Sequence, residues 1–217
     1  MCYIDNNELF NIFKLLNDSG LRYILIRNIN GELPYKLKIK KDIDILISKK
    51  NELEFISFFQ KYNYKFQEHP FCNDIFLYGT DKFQFKYNNN NKILFDLNFQ
   101  LVCRSLNAGE WIPLDQILQE SAWKNRRFEK ISDDFGYWTL GYNDEFITLI
   151  VRSVFDKKEF HDGYIKRISE LKNKIDLDDV EEKMFLIFFK FTPYLLAMIE
   201  KQEYKDIIKN YLQFKEY

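Results

Sequence analysis

The sequence is poor in glycine, proline, cysteine and histidine, and each shortage excludes a class of protein. Seven Gly and four Pro in 217 residues argue against a long disordered tract. The three cysteines, Cys2, Cys72 and Cys103, lie far apart without Cys-x-x-Cys spacing, so neither a disulfide framework nor a zinc site is indicated. His69 and His161 lack the partner spacing of a metal site or a catalytic triad. We therefore expect a folded protein of a reducing cytoplasm.

The chain also lacks an excess of one charge and a long hydrophobic run. With 32 basic and 33 acidic side chains its net charge is −1, which excludes the broad basic surface of a general nucleic-acid-binding protein. Acidic residues occur early, unlike in a signal peptide. The most apolar run, residues 184–199, is shorter than the roughly 20 residues that span a bilayer and contains Lys190 and Pro193. We expect no membrane span there, but a buried helix that is kinked or ends near the proline.

Apolar residues are plentiful, and their spacing in the N-terminal half predicts alternating helices and strands. A first helix follows a capping Asp5 and ends near Gly20. "LRYILIRN" and "KDIDILIS" read as strands. "NELEFISFFQKY" predicts a helix with a face of Leu53, Ile56, Phe59 and Tyr62. Further strands are predicted at "YKFQEH", "DIFLYG", "KFQFKY" and "KILFDLNFQLV", with a turn at "NNNN" before the last.

The C-terminal half has a different pattern. "WIPLDQILQESAW" predicts a short helix, "FEKISDDFGYWTL" a hairpin, and the remainder mainly helices. One of these helices has a capping candidate at Asn143 or Asp144. The fold class is therefore predicted to be α+β, with a mixed sheet and flanking helices over residues 1–105 and a mainly helical region over 106–217. The two parts can share one core.

Two carboxylates interrupt the apolar strand "KDIDILIS". Side chains of a strand alternate between its faces, so Asp42 and Asp44 lie on one face and the isoleucines on the other. In the later strand "ILFDLNF", Asp96 and Asn98 share a face in the same way. Ionised carboxylates in an apolar layer are costly unless a cation faces them. If the two strands are neighbours, three carboxylates converge on such a cation.

A hard divalent cation suits this set of oxygen ligands, since no histidine or cysteine cluster accompanies it. Mg²⁺ commonly binds a few carboxylates together with substrate phosphates, which implies a nucleotide. Two such ions about 3.5–4 Å apart would activate a hydroxyl and stabilise the leaving pyrophosphate during attack at the α-phosphorus. The alternative is structural, because Asp-x-Asp also occurs at strand ends that face solvent or a lysine.

On these residues the chain resembles the nucleotidyltransferase superfamily, which includes DNA polymerase β-like enzymes and antibiotic nucleotidyltransferases. The segments "GLRYILIRN", "KDIDILIS" and "ILFDLNF" match the family's layout over about residues 21–102, most closely in small bacterial nucleotidyltransferase-like proteins. The resemblance implies that Asp42 and Asp44 hold both Mg²⁺ ions. It implies that Asp96 holds the catalytic ion and helps to deprotonate the acceptor hydroxyl. The partners it implies are a nucleoside triphosphate, such as ATP, and a hydroxyl acceptor.

Basic and polar residues near this motif are candidates for nucleotide binding. The family usually carries a Gly-Ser or Gly-Gly pair after the first strand, and this chain has Arg27 and Asn28 there. An arginine can bind phosphate bidentately in place of backbone amides. Lys41 precedes the motif in a loop with three other lysines, for which a solvated charge run is the alternative. Similar proteins carry basic residues in a later helix, where Arg152 and Lys157 occur here, with surface salt bridges as the alternative.

Two rival functions remain open at this stage. Glycosyltransferases also use Asp-x-Asp to hold a metal and a diphosphate, but there the motif usually follows a nucleotide-binding half of about a hundred residues. Here it arrives at Asp42. The second rival is a degenerate nucleotidyltransferase-like module that binds or regulates without catalysis, which the missing Gly-Ser pair favours.

Overall fold

A computed structural model describes residues 3–27, 32–67, 76–77, 82–87, 93–105 and 110–216. The chain divides into two compact units. The first draws on Met1–Leu101 and Arg126–Leu140, and the second on Val102–Asn125 and Gly141–Tyr217. A single cut near residue 105 therefore does not describe these units, because residues 126–140 join the N-terminal part.

The elements alternate in the first part of the chain and become mainly helical later. The strands are β1 (Tyr23–Leu25), β2 (Asp42–Ile47), β3 (Tyr64–Gln67), β4 (Phe76–Leu77), β5 (Lys82–Tyr87), β6 (Leu94–Asn98), β7 (Val102–Arg104), β8 (Glu110–Pro113), β9 (Arg127–Lys130) and β10 (Gly136–Thr139). The α-helices are α1 (Asn6–Asp18), α2 (Glu52–Lys61), α3 (Gln116–Lys124), α4 (Tyr142–Val151), α5 (Asp162–Leu171), α6 (Leu177–Phe188), α7 (Thr192–Glu200) and α8 (Tyr204–Gln213). The predicted turn at residues 88–91 lies outside the described residues.

Seven strands of the first unit form one sheet in the order β3-β5-β6-β2-β1-β10-β9. Strand β2 runs parallel to β6, and β1 runs parallel to β10. The other neighbours are antiparallel. The mixed sheet and the α+β class predicted from the sequence are thus confirmed.

One face of this sheet packs against α1 and α2. Asp5 caps α1, where its Oδ1 accepts a hydrogen bond of 2.7 Å from the Asn7 amide. Phe13 of α1 and Phe59 of α2 both contact the ring of Phe95 on β6, with centroid distances of 6.1 and 5.0 Å. These aromatic contacts place the apolar residues of β2 and β6 in a closed hydrophobic core.

The buried face of α2 differs from the predicted one. Phe55, Phe58 and Phe59 are its buried residues, whereas Leu53 is 76% exposed. The sequence offers two overlapping apolar stripes on this helix. Because the phenylalanine stripe has more apolar area to bury, it faces the sheet and Leu53 faces solvent.

The hairpin of β9 and β10 extends the sheet of the first unit. Leu25 of β1 is the partner of Thr139 in the parallel pair, and the Thr139 hydroxyl donates to the Leu25 carbonyl at 3.0 Å. The hairpin itself was predicted, but its place in the sheet was not. Only pairing with β1, more than a hundred residues earlier in the chain, assigns these strands to the N-terminal unit.

The second unit contains α3 to α8 and the antiparallel pair β7–β8. The segment predicted as one short helix divides into β8 and α3, because Asp115 begins a helix by accepting a 2.8 Å hydrogen bond from the Ile117 amide. A π-helical turn, Arg152–Lys157, follows α4. The mainly helical character of this part agrees with the predicted fold class.

The cap predicted for α4 is wrong. Gly141 occupies the N-cap position, and no side chain caps the helix. Asn143 instead donates a hydrogen bond of 2.6 Å to Asp179 of α6, and Asp144 accepts one of 2.6 Å from Ser121 of α3. These polar residues therefore join helices to one another instead of terminating their own.

The apolar run at residues 184–199 contains a helix end, as expected near a proline. Helix α6 ends at Phe188, and Pro193 lies in the first turn of α7, where its missing N–H has no consequence. The run is not fully buried, because Phe185 and Tyr194 are 47% and 54% exposed. Within the described residues, no helix combines the length and the apolar character needed to cross a membrane.

Candidate functional site

The register of two neighbouring strands brings three aspartates together. β2 and β6 are parallel, and Asp44 is the direct partner of Asp96. Asp42 lies two residues before Asp44, hence on the same face. Each of the three carboxylates offers an oxygen, and these oxygens lie within 4.8 Å of one another. The strands therefore form a carboxylate group, which we define as Asp42, Asp44 and Asp96.

The carboxylate group is buried at one end and partly open at the other. Asp44 and Asp96 are 3% and 1% exposed, whereas Asp42 is of intermediate exposure. Burial of like-charged carboxylates next to one another is unfavourable in the absence of cations. The open side at Asp42 offers access to an ion or a ligand.

Arg27 contributes a positive charge to this group. Its Nη1 donates to Asp44 Oδ1 at 2.9 Å. The antiparallel pairing of β1 and β2 explains this contact, since Ile26 donates its amide to the Asp44 carbonyl at 3.1 Å just before Arg27. The guanidinium of Arg27, just after β1, therefore lies at the carboxylate group.

Asn98 lies next to the group on β6. It is 3% exposed, and its Nδ2 donates to the Asp96 carbonyl at 3.1 Å. The bond holds the amide against its own strand, two residues beyond Asp96. The shared face of these two residues follows from the alternation in "ILFDLNF".

The other residues predicted to bind the nucleotide are Asn28, Lys41, Arg152 and Lys157. Asn28 is outside the described residues. Lys41 is half-buried, with its Nζ 4.0 Å from Glu32 Oε2. Arg152 and Lys157 lie in the second unit. The role of each in nucleotide binding stays a prediction.

Within the second unit Arg152 has firm local partners. Its Nε donates to the Tyr164 hydroxyl at 2.7 Å, and its Nη1 donates to Asp156 at 3.1 Å. Lys157 is exposed at the end of the π-helical turn. Arg152 and Asp156 form an ion pair, as in the alternative left open by the sequence, but their side chains are only 16% and 6% exposed, so the pair is not a surface one.

Buried charges of the second unit were not anticipated from the sequence. Glu145 of α4 accepts from Arg167 of α5 through Nε at 2.6 Å and Nη2 at 2.9 Å. Asp144 lies 3.6 Å from Lys183 of α6, and both are buried. The signal was present in "YNDEFITLIV", where two acidic residues adjoin an apolar helical stripe, but capping explained it equally well.

The carboxylate group fits a hard divalent cation. It supplies only oxygen ligands, and Mg²⁺ is typically held by one or two carboxylates and completed by water and phosphate oxygens. Asp44 and Asp96 are held by paired strands, so the ligand oxygens are preorganised. These three residues could therefore hold a metal ion.

Comparisons with known proteins identify the fold. No family model matches the sequence, and no curated protein matches it. The lincosamide antibiotic adenylyltransferase LnuA, solved with lincomycin bound, is 14% identical, with a TM-score of 0.47 over 80% of this chain and 99% of that one. The antibiotic-resistance factor ANT(2'')-Ia, solved in solution, is 11% identical, with a TM-score of 0.50 over 92% of this chain and 100% of that one. This chain has the nucleotidyltransferase fold.

In the nucleotidyltransferase fold assigned here, β2 and β6 are the central strands that carry the carboxylate group. The glycosyltransferase alternative requires a nucleotide-sugar-binding fold, in which Asp-x-Asp follows a longer nucleotide-binding half. The assigned fold therefore differs from the fold on which this rival depends.

Proposed function

We propose that this protein is a Mg²⁺-dependent nucleotidyltransferase that moves a nucleoside monophosphate from a nucleoside triphosphate to a hydroxyl. The acceptor would be a small molecule, a glycan precursor or a protein. The observation that carries the proposal is the carboxylate group, with ligand oxygens within 4.8 Å of one another on adjacent strands. The nucleotidyltransferase fold around it supports the same chemistry.

In the proposed reaction, the acceptor oxygen attacks the α-phosphorus and the bond to pyrophosphate breaks. Asp42 and Asp44 would hold two Mg²⁺ ions, and Asp96 would hold one of them. When bound, these ions would lower the pKa of the acceptor hydroxyl and neutralise charge on the phosphates. Asp96 would accept the proton of the hydroxyl through a carboxylate oxygen.

Basic and polar side chains would position the nucleotide. Arg27 contacts the carboxylate group through Asp44. A guanidinium can bind two phosphate oxygens at once, which suits it to replace backbone amides. Asn28, Lys41, Arg152 and Lys157 are further proposed contacts for the nucleotide.

An assay with nucleoside triphosphates tests this function. The protein is incubated with Mg²⁺, a panel of hydroxylated acceptors, and α-³²P-labelled ATP, GTP, CTP or UTP in turn. Transfer of the label to the acceptor is measured together with pyrophosphate release. Asp96→Asn removes a proposed metal ligand. The transfer rate of this variant should fall by more than about 10–100-fold, the usual loss when a residue that hydrogen-bonds to a metal ligand is mutated. Asp133→Asn, on an exposed residue of the same unit, should retain the parent rate. Equal rates in the parent and Asp96→Asn would refute the proposal.

A binding module without catalysis is the second candidate. It is favoured by the Arg27–Asp44 ion pair, which gives Asp44 a cationic partner other than a metal. Calorimetry with Mg²⁺ and each triphosphate separates the two candidates, with Asp44→Asn as the comparison. Nucleotide affinity that Asp44→Asn abolishes, without pyrophosphate release on any acceptor, would favour the module.

A further inference from the structure

Arg27 contacts one of the carboxylates on which the proposed metal site depends. Its Nη1 lies 2.9 Å from Asp44 Oδ1, and the two side chains are 12% and 4% exposed. A contact so well shielded from water is not a weak surface ion pair. A metal ion at Asp44 therefore competes with the guanidinium for the negative charge of this carboxylate.

We infer that Arg27 is an exchangeable counter-ion, bound to Asp44 without metal and transferred to the triphosphate when Mg²⁺ and nucleotide bind. The inference rests on the proposed function of this site. It assigns to Arg27 a regulatory role, because the arginine would keep the empty site stable and make metal binding depend on the nucleotide.

Charge balance gives the physical reason. Three carboxylates and one guanidinium give these four side chains two negative charges, which one divalent ion neutralises. With a second divalent ion, the four side chains and the two ions together carry a net charge of +2. The ions then repel the Arg27 guanidinium from its place at Asp44. The phosphates of a nucleotide supply the negative charge that attracts it.

The position of Arg27 means that the exchange requires only its side chain to move. It follows β1 directly, so its backbone is held at the edge of β2 by the Ile26 amide, which donates to the Asp44 carbonyl at 3.1 Å. A side-chain rotation is then enough to move the guanidinium from Asp44 to a phosphate bound at the carboxylate group. The fork of Arg27 suits either partner, since carboxylate and phosphate present similar pairs of oxygens.

Linkage turns this exchange into a measurable coupling. If Arg27 and metal compete for Asp44, removal of the arginine strengthens metal binding without nucleotide. If Arg27 then binds phosphate, its removal weakens nucleotide binding in the presence of metal. An arginine that stays on Asp44 would give the first change without the second, because it contacts no phosphate.

The experiment compares the parent protein with Arg27→Gln, and with Arg22→Gln as the matched control, an exposed arginine of the same unit. Mn²⁺ binding without nucleotide is measured by electron paramagnetic resonance of the free ion. Arg27→Gln should bind Mn²⁺ about tenfold more tightly, within the usual range of coupling between sites. With saturating Mg²⁺, it should bind α,β-methylene-ATP or α,β-methylene-GTP about tenfold more weakly. Arg22→Gln should match the parent in both.

The outcomes separate the inference from the proposed function. Unchanged or weaker Mn²⁺ binding by folded Arg27→Gln, or unchanged nucleotide binding by it, overturns the inference alone when the parent binds Mn²⁺ and Asp96→Asn abolishes that binding. No Mn²⁺ binding by the parent with or without nucleotide overturns both. If Arg27→Gln does not fold, the parent is labelled with ¹⁵N-arginine and its arginine Nε signals are followed by NMR. The signal that is missing in Arg27→Lys is assigned to Arg27. That signal should shift when Mg²⁺ and nucleotide bind, and a constant signal at saturation overturns the inference.

Discussion

Both units of this protein bury carboxylates, but they stabilise them in different ways. In the second unit, Glu145 and Arg167 form two hydrogen bonds of 2.6 and 2.9 Å, and their side chains are only 3% and 8% exposed. Each charge there has an opposite charge at close range. Such a pair ties α4 to α5 and requires no further ligand.

In the first unit, three carboxylates are gathered around one arginine contact. Asp44 and Asp96 face each other across parallel strands, an arrangement that like charges disfavour. Folding stability alone does not select it, whereas a cation-binding site requires it. Burial of carboxylates is common to both units. A candidate ligand site therefore differs from a structural ion pair in the number of like charges that are brought together.

The largest effect is expected from breaking the pair in the second unit. Arg167→Leu leaves Glu145 buried without its partner, so the free energy of unfolding should fall by about 3–5 kcal/mol. Urea unfolding followed by circular dichroism measures it. Glu170→Gln, which removes only the 39% exposed partner of Arg167, should cost no more than about 1 kcal/mol. A loss of less than about 1 kcal/mol in Arg167→Leu would show that Glu145 is not held by this pair.

An opposite effect is expected in the first unit. Asp96→Asn removes one of the facing negative charges, so without metal it should raise the free energy of unfolding by about 1 kcal/mol. With Mg²⁺ at about a hundred times its Kd, the parent should gain about 2.7 kcal/mol and the variant nothing. Thermal and urea unfolding with and without Mg²⁺ measure both values. Destabilisation by Asp96→Asn without metal would remove the contrast between the units.

The smallest effect concerns pH and the second buried carboxylate of α4. Burial raises the pKa of Asp144, although the Ser121 hydrogen bond and the charge of Lys183 oppose this. Because the folded state holds this proton more tightly than the unfolded state, the contribution of Asp144 to stability falls as pH rises through the raised pKa. In Asp144→Asn, this decrease in the free energy of unfolding with rising pH should be absent.

Unfolding of Asp144→Asn and the parent at a series of pH values from about 2 to 7 checks this expectation. The difference in unfolding free energy should shift in favour of the variant as pH rises. Asp179→Asn provides the opposite control. Burial acts to raise the pKa of Asp179, but hydrogen bonds from Lys183 and Asn143 lower it overall. The contribution of Asp179 to folding stability is therefore lost as pH falls. A difference that is constant with pH would contradict the assignment for Asp144.

Much of the fold was predictable because its signals are local. Helix α1 follows from a capping aspartate and one apolar stripe, and β2 follows from its alternation. Helix α2 was harder, because two stripes overlap and only the sheet selects Phe55 over Leu53. The hairpin of β9 and β10 was visible as a hairpin, but its partner strand β1 was not, since pairing across a hundred residues leaves no local mark.

The candidate site divides in the same way. Alternation along a strand places Asp42 and Asp44 on one face whatever their neighbours are, so the sequence alone determined that much. The tertiary structure decided that Asp96 lies opposite Asp44, that Arg27 contacts it, and that Glu145 finds Arg167. The physical reason is that local periodicity orients side chains about their own backbone. Strand register and helix packing then choose which of them meet, and these depend on burial summed over the whole unit.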